Sequence, residues 1–335
     1  METIKLKKSR LNFFATLAIA ILVSFVAVSC SDDNDMTELN TEPGDIVSVL
    51  DQITSNPDDF PTDETKSASL KAKKPKFKHL RQALVKAGLV STVASNELTV
   101  FAPTDEAFET LFDNLGIGGI DDLTAEQLTP ILLYHVVGGT VMSSDLSSGY
   151  TETVNGSAVK VDLSSGVLIN DANVIIADLK AANGIIHIID AVLLPPSMNI
   201  VETAMSYDPE FTILVQAVVK AGLQETLETG GPFTIFAPTN DAFGDLLTEL
   251  GYASLDEIPM ETLVAVLKYH VVSGRVYSSD LVSGPVNTLN GTFNIDTSTL
   301  KITDANSRES GLIPSLLDVQ ATNGVIHVID KVLLP

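Results

Sequence analysis

Thr99-Val-Phe-Ala-Pro-Thr-Asp-Glu-Ala-Phe108 returns 135 residues later as Thr234-Ile-Phe-Ala-Pro-Thr-Asn-Asp-Ala-Phe243. Working outward, Tyr134-His-Val-Val137 returns as Tyr269-His-Val-Val272 at the same offset. Asn183-Gly-Ile-Ile-His-Ile-Ile-Asp190 returns as Asn323-Gly-Val-Ile-His-Val-Ile-Asp330, offset by 140. Three blocks in one order define two copies of one domain, residues 45–196 and 198–335. A chain of 335 residues suits two domains behind a leader.

Within the opening stretch, residues 98–101 are β-formers and Pro103 ends the strand. Thr104 then caps a helix whose first turn holds Asp105 and Glu106. Phe108, Leu111, Phe112 and Leu115 follow at helical spacing, matched by Phe243, Leu246, Leu247 and Leu250, which predicts a core helix. Upstream, Asp45-Ile-Val-Ser-Val-Leu50 pairs with Asn199-Ile-Val-Glu-Thr-Ala204 as a short opening helix. Leu80, Leu84 and Val85 give a second helical stripe, stopped by Gly88. Between these, residues 55–75 are rich in Pro, Asp, Ser and Lys without apolar period, and read as a mobile loop. Thr124 with Gln127 is a capping box opening the helix into Tyr134-His135. Pro130 lies inside it, where copy two has Ala265, so that helix is expected to start late or bend. From residue 150 the pattern turns to β. Asn155-Gly156 and Asn290-Gly291 read as two-residue hairpin turns, and Asn183-Gly184 and Asn323-Gly324 introduce a last strand. Helices followed by sheet make each copy α+β.

Composition narrows the function. Hydrophobic residues make up 45% and charged residues 19%, enough for a core in each copy. The formal charge is −23, and the residues after position 29 carry a net −26. Such a body repels phosphate backbones, so no nucleic-acid partner is expected. The one basic run, residues 71–81, reads as a solvated linker or as an anion-binding patch.

Lys5, Lys7, Lys8 and Arg10 precede the apolar residues 11–28, which are followed by Ser29 and Cys30. The order is that of a secretory signal, with an uncleaved membrane anchor as the alternative. The only cysteine follows the apolar run directly, which resembles a bacterial lipoprotein signal in which Cys30 is lipidated and becomes the first mature residue. Residues 1–29 would then be the signal and residues 30–44 an acidic flexible tether. Ser31-Asp32-Asp33-Asn34-Asp35 resembles the acidic export signal of Bacteroidetes-type lipoproteins. These features predict an outer-membrane lipoprotein facing the cell exterior, held to the membrane through the lipid on Cys30.

The three blocks, in this order and spacing in both copies, resemble the fasciclin domain. The resemblance implies two tandem α+β domains, each a β-wedge or sandwich with packed helices. It also implies adhesion or extracellular recognition without catalysis. In animal members, an Asp followed by an aliphatic residue just before the Asn-Gly, together with the Tyr-His region, is linked to integrin contact. The matching positions are Asp178-Leu179 and Asp318-Val319, with Tyr134-His135 and Tyr269-His270. The residues around these aspartates differ from the animal motifs. A contact surface is therefore carried over, and an integrin partner is not.

Chemistry-bearing patterns are sparse. His187 lies among isoleucines and shares a strand face with Ile185 and Ile189, which reads as a hydrogen-bonded core histidine. Asp190 falls on the opposite face, against a local His–Asp dyad. No Cys or His cluster suits zinc and no loop has dense calcium-ligand spacing, so neither metal nor cofactor is expected. No Gly-x-Ser-x-Gly elbow occurs and the single Cys is assigned to lipid, so no enzyme is expected. Two binding readings remain: adhesion to an extracellular protein or matrix component, or capture of a surface glycan. Sugar platforms use exposed aromatics, and with no Trp the candidates are Tyr150, Tyr207, Tyr252 and Tyr277, which favours the protein partner.

Overall fold

A computed structural model describes residues 43–56 and 75–335. The signal, Cys30, nearly all of the acidic tether and most of the loop expected at residues 55–75 lie outside the described residues. Ser55 itself closes the first helix.

Copy one runs α1 (Ile46–Ser55), α2 (Lys78–Lys86), α3 (Val90–Ser95), β1 (Leu98–Pro103), α4 (Asp105–Leu115), α5 (Ala125–Tyr134) and β2 (Val136–Gly138). It continues with β3 (Gly149–Glu152), β4 (Ala158–Asp162), β5 (Leu168–Ile169), β6 (Ala172–Ala181) and β7 (Gly184–Ile189). Copy two opens with α6 (Ile200–Ser206), α7 (Thr212–Lys220), α8 (Gln224–Thr229), β8 (Phe233–Pro238), α9 (Asn240–Leu250), α10 (Met260–Tyr269) and β9 (Val271–Ser273). It closes with β10 (Gly284–Thr288), β11 (Gly291–Asp296), β12 (Lys301–Thr303), β13 (Glu309–Gly311), β14 (Val319–Ala321) and β15 (Gly324–Ile329). The α+β class holds in both copies.

The repeated stretch is the centre of each copy because β1 lies parallel to the last strand, β7, with Phe101 opposite His187. Both strands are buried along their whole length. Leu98, Val100, Ala102, Ile186 and Ile188 pack on the helices, while Phe101 and Ile189 face a second core closed by β4 and β5. This double burial explains why the stretch reads as a continuous apolar run.

Thr104 caps α4 by accepting from the Ala107 amide at 3.2 Å, and Thr239 does the same for α9. Asp105 is buried and does more than favour its own helix. Its carboxylate accepts the His79 amide of α2 at 2.9 Å, and Asn240 accepts the Ile213 amide of α7 equally. An acceptor oxygen serves this bond in both copies, and Asn240 also donates its side-chain amide to the Pro209 carbonyl. Leu111 and Phe112 are core, but Leu115 and Leu250 end their helices half-exposed, at 51% and 43%. Val85 also corrects the stripe on α2: it is 59% exposed, and Leu80, Ala83 and Leu84 make the buried face.

The capping box of Thr124 and Gln127 forms, and α5 starts at Ala125, matching Met260 in α10. The late start expected from Pro130 is therefore corrected, because the cap fixes the first turn ahead of the proline. Neither Asn-Gly forms a two-residue hairpin turn. In copy one, residues 153–157 separate β3 from β4. In copy two the two-residue loop is Leu289-Asn290, with Gly291 already paired to Thr288.

The copies differ in sheet continuity. In copy one, β6 passes through two register shifts and links both ends into one seven-stranded sheet, β2-β1-β7-β6-β5-β4-β3. Extra residues around 307–314 split the matching strand of copy two into β13 and β14, giving two four-stranded sheets.

Candidate functional site

The register shift in β6 sets Asp178 at φ +65, and Asp318 stands at φ +58. In this turned-out conformation each aspartate grips the loop after β2 or β9. The Asp178 carboxylate accepts the Ser143 amide at 2.7 Å and the Ser143 hydroxyl. Asp318 takes the Ser278 amide at 2.6 Å and its hydroxyl. The Asp178 amide donates to His187 Nδ1 at 3.3 Å, and His187 Nε2–H donates to the Val141 carbonyl at 3.0 Å. His327 repeats this between the Asp318 amide and the Val276 carbonyl.

Ser, Asp and His thus converge, but not as a nucleophile with its base. The serine proton points at the carboxylate, and both imidazole nitrogens are committed to the backbone. Acyl-transfer chemistry needs the hydroxyl on the imidazole. Burial holds both histidines below their usual range. The core-histidine reading is confirmed for them, and Asp190 instead binds Asn173. Among the described residues, no group of three His, Cys, Asp or Glu could hold a metal.

Tyr134, His135, Tyr269 and His270 correct the expected contact surface. They are only 1–2% exposed and cannot meet a partner. The Tyr134 hydroxyl donates to the Ala158 carbonyl at 2.8 Å and accepts from Asn170, tying α5 to the sheet. Tyr269 does the same with Thr292. His135 Nδ1–H donates to Ile131 and Nε2 accepts the Leu193 amide; His270 joins Val266 to Leu333. Complete burial pushes both histidines down to about 4.

Asp178, Leu179, Asp318 and Val319 are half-buried, and here the copies part company. Tyr150 of β3 stacks on Tyr277 of copy two, centroids 4.1 Å apart and planes within 9°. Ala158, Tyr277 and Val325 form a small core with Tyr150, and Gly149 abuts Ser279. Burial and then the charge of Asp318 raise the Tyr150 hydroxyl. The Asp318 face is therefore covered by the β3–β4 edge of copy one. Among the described residues the matching positions of copy one differ in burial, with Met142 half-buried where Tyr277 is buried and Lys180 exposed where Gln320 is half-buried.

A cleft of about 620 Å³ borders the seam, walled by Tyr150, Glu152, Arg275, Tyr277 and Asp280. Arg275 is spent internally, donating to the carbonyls of Ala321, Thr322 and Gly324. Replacing Tyr277 by alanine is expected to cost about 3 kcal/mol, from lost stacking and burial. Copy two should then melt separately, giving two calorimetric transitions; one unshifted transition would contradict the seam.

The family model for the fasciclin domain matches residues 75–195 and again residues 209–335. The chain belongs to the fasciclin family. The chain is similar to the "Protein sll1483" of Synechocystis, 42% identical over 42% of this chain and 74% of that protein. The rabbit "Transforming growth factor-beta-induced protein ig-h3" is 32% identical over 71% of this chain. The chain spans only 34% of that relative's length. A solved fasciclin domain pair from the insect cell adhesion molecule Fasciclin I covers 77% of this chain at 22% identity, with a TM-score of 0.35. No helix among the described residues is long and apolar enough to cross a membrane.

The signals that sequence reasoning missed lie in the repeats themselves. Thr99 and Thr234 are buried, and their hydroxyls bracket the loop after β2 or β9 by bonding Gly139 and Val141, or Gly274 and Val276. Ser143 and Ser278 sit at the same 135-residue offset within matching Ser-Ser-Asp triplets, which a residue-by-residue overlay of the copies exposes.

Proposed function

We propose that this protein is a non-enzymatic, surface-anchored binding lipoprotein that recognises an extracellular protein or matrix component through the copy-one surface that carries Ser144, Asp145 and Lys180. The observation that carries this reading is the unequal packing of two equivalent surfaces. Tyr150 of copy one packs over the Asp318 face, while beside Asp178 the side chains of Ser144, Asp145 and Lys180 are exposed. Anchoring through Cys30 on the outer face of the outer membrane would present that face to other cells or matrix. Committed serines and histidines at the Ser-Asp-His ties support a binding role over catalysis at these positions.

Glycan capture is the weaker reading because its four candidate rings are occupied. Tyr150 and Tyr277 stack on each other, and Tyr207 and Tyr252 pack against the core of copy two. Purified full chain should bind a subset of immobilised matrix proteins saturably. Lys180→Glu, on an exposed side chain, should weaken that binding about 10-fold without shifting the melt. Saturable polysaccharide binding on a glycan array, with no protein binding, would reverse the assignment.

A further inference from the structure

Copy one holds an apolar cavity of about 350 Å³ where α2, α3 and α5 meet the start of β1. Leu84, Val93, Leu98, Leu132 and Val136 wall it and are all buried, with Leu133 half-buried beside them. Val154 lines it from a 49% exposed position, which places that residue at the mouth. Asn96 lines it too, but its side-chain amide is spent on the Thr92 carbonyl at 2.8 Å. Among the described residues of the lining, Glu97 is the one charged side chain, and it is exposed. Such an interior rewards burial and close packing and offers no ion partner within.

Copy two shows what fits the corresponding space. Leu98 and Phe233 hold the same position, opposite Gly184 and Gly324. Phe233 packs against the cluster that contains Val218, Leu227, Leu267 and Val271, the equivalents of Leu84, Val93, Leu132 and Val136. Its ring folds over the residue that caps α8: a Cβ on Gly230 would lie 3.1 and 3.3 Å from two ring carbons. Asn96 caps α3 at the matching place and lines the cavity. Copy two therefore sets an aromatic ring in the corner that copy one, with the shorter Leu98, leaves open. Size and charge narrow the ligand further. An apolar cavity of about 150 Å³ takes one benzene ring, so the larger volume here has room for two fused rings. The net charge of −26 and Glu97 at the rim oppose an anion, and burying a cation costs more than one exposed carboxylate returns.

We propose that copy one binds a small uncharged aromatic molecule of two fused rings in this cavity, its faces against Leu84, Leu98 and Leu132 and its polar edge toward Glu97. The site is additional to the surface assigned above and shares no residue with it. An N–H or O–H on that edge would donate to the Glu97 carboxylate at the mouth, where water still reaches it.

Indole is the probe, because the chain has no Trp and indole emission excited beyond the tyrosine band is read without protein background. Titrating it with the full chain in mild detergent, against detergent alone, should give saturable uptake at one site per chain with emission shifted to the blue. Leu98→Phe puts the ring of copy two into copy one. It should weaken uptake at least about 10-fold while the melt stays at or above that of the wild type. Val154→Phe narrows the mouth from an exposed position and should also weaken uptake, which keeps the test open should Leu98→Phe melt early. Phe233→Leu trims a half-buried side chain and should open the matching space, raising the stoichiometry from one site to two. Absence of saturable uptake, uptake untouched by both filling variants, or a single site in Phe233→Leu would each overturn the inference.

Discussion

Replacing Gly184 by alanine is expected to cost copy one at least about 4 kcal/mol and to lower its melting by about 10 °C. The reason is the closeness of two parallel strands. Gly184 starts β7 at φ +153, and a Cβ there would lie 1.8 Å from the Leu98 carbonyl oxygen and 2.9 Å from its carbon. Backbone cannot yield as a flexible side chain can. β1 and β7 would have to separate at the centre of the domain, where both strands are buried throughout. Asn183 would move with them, and its side chain ties the Ile46 amide of α1 to the Val93 and Asn96 carbonyls around α3. Gly324 repeats the arrangement, with a Cβ position 2.2 Å from the Phe233 oxygen. Gly156→Ala is the control. It also has positive φ, +88, but nothing lies within 4 Å, so only about 1 kcal/mol of backbone strain is expected. Equal melts for the two variants would show that close approach is not what Gly184 provides.

Acidification from pH 7 to pH 5 is expected to remove roughly 4 kcal/mol through His135 and His270 alone. Each is held neutral by burial, with its value pushed down to about 4 from 6.5. Between those values the unfolded chain binds a proton that the native chain refuses, so stability falls as pH falls. The full stability is present above pH 6.5, and the loss is complete only below about 4. At pH 5 each site contributes about 2 kcal/mol of the loss. Burial also depresses His187 and His327, which adds in the same direction. Urea titrations followed by far-UV circular dichroism at pH 7, 6 and 5 measure this. Stability flat across that range would mean that the four histidines gain protons freely in the native state. A protonated imidazole in these positions would also lose an acceptor, since Nε2 of His135 takes the Leu193 amide and Nδ1 of His187 takes the Asp178 amide. Acid should therefore loosen the joint of α5 with the chain after β7 and the grip of Asp178 on Ser143 together.

The repeat made both predictions legible, but not their mechanism. Asn183-Gly184 reads locally as a turn before a strand, and it does precede one. That Gly must also admit the Leu98 backbone depends on a pairing between strands 86 residues apart, which no local pattern carries. Tyr134-His135 reads as an exposed recognition element by family likeness, whereas the helix end is buried and its polar atoms are consumed by backbone groups from β4 and the segment after β7. Asp178 and Asp318 fall at equivalent places and make equivalent bonds. Their surroundings differ because Tyr150 of copy one packs beside Asp318 and stacks on Tyr277.

The sequence by itself determined that the chain is a doubled α+β domain, where the capped core helix after Pro103 begins, and that His187 belongs to a core. Those facts follow from periodicity, capping residues and repetition, which are local or self-comparing. Only the tertiary structure decided that the Asp318 face of copy two is covered by copy one. That outcome depends on Tyr150, Gly149 and Ala158 reaching across to Tyr277, Ser279 and Val325, contacts between distant segments of a packed pair. The Ser-Asp-His ties are the same in both copies, so what sets the two surfaces apart is the packing around them and the exchanges Met142 for Tyr277 and Lys180 for Gln320.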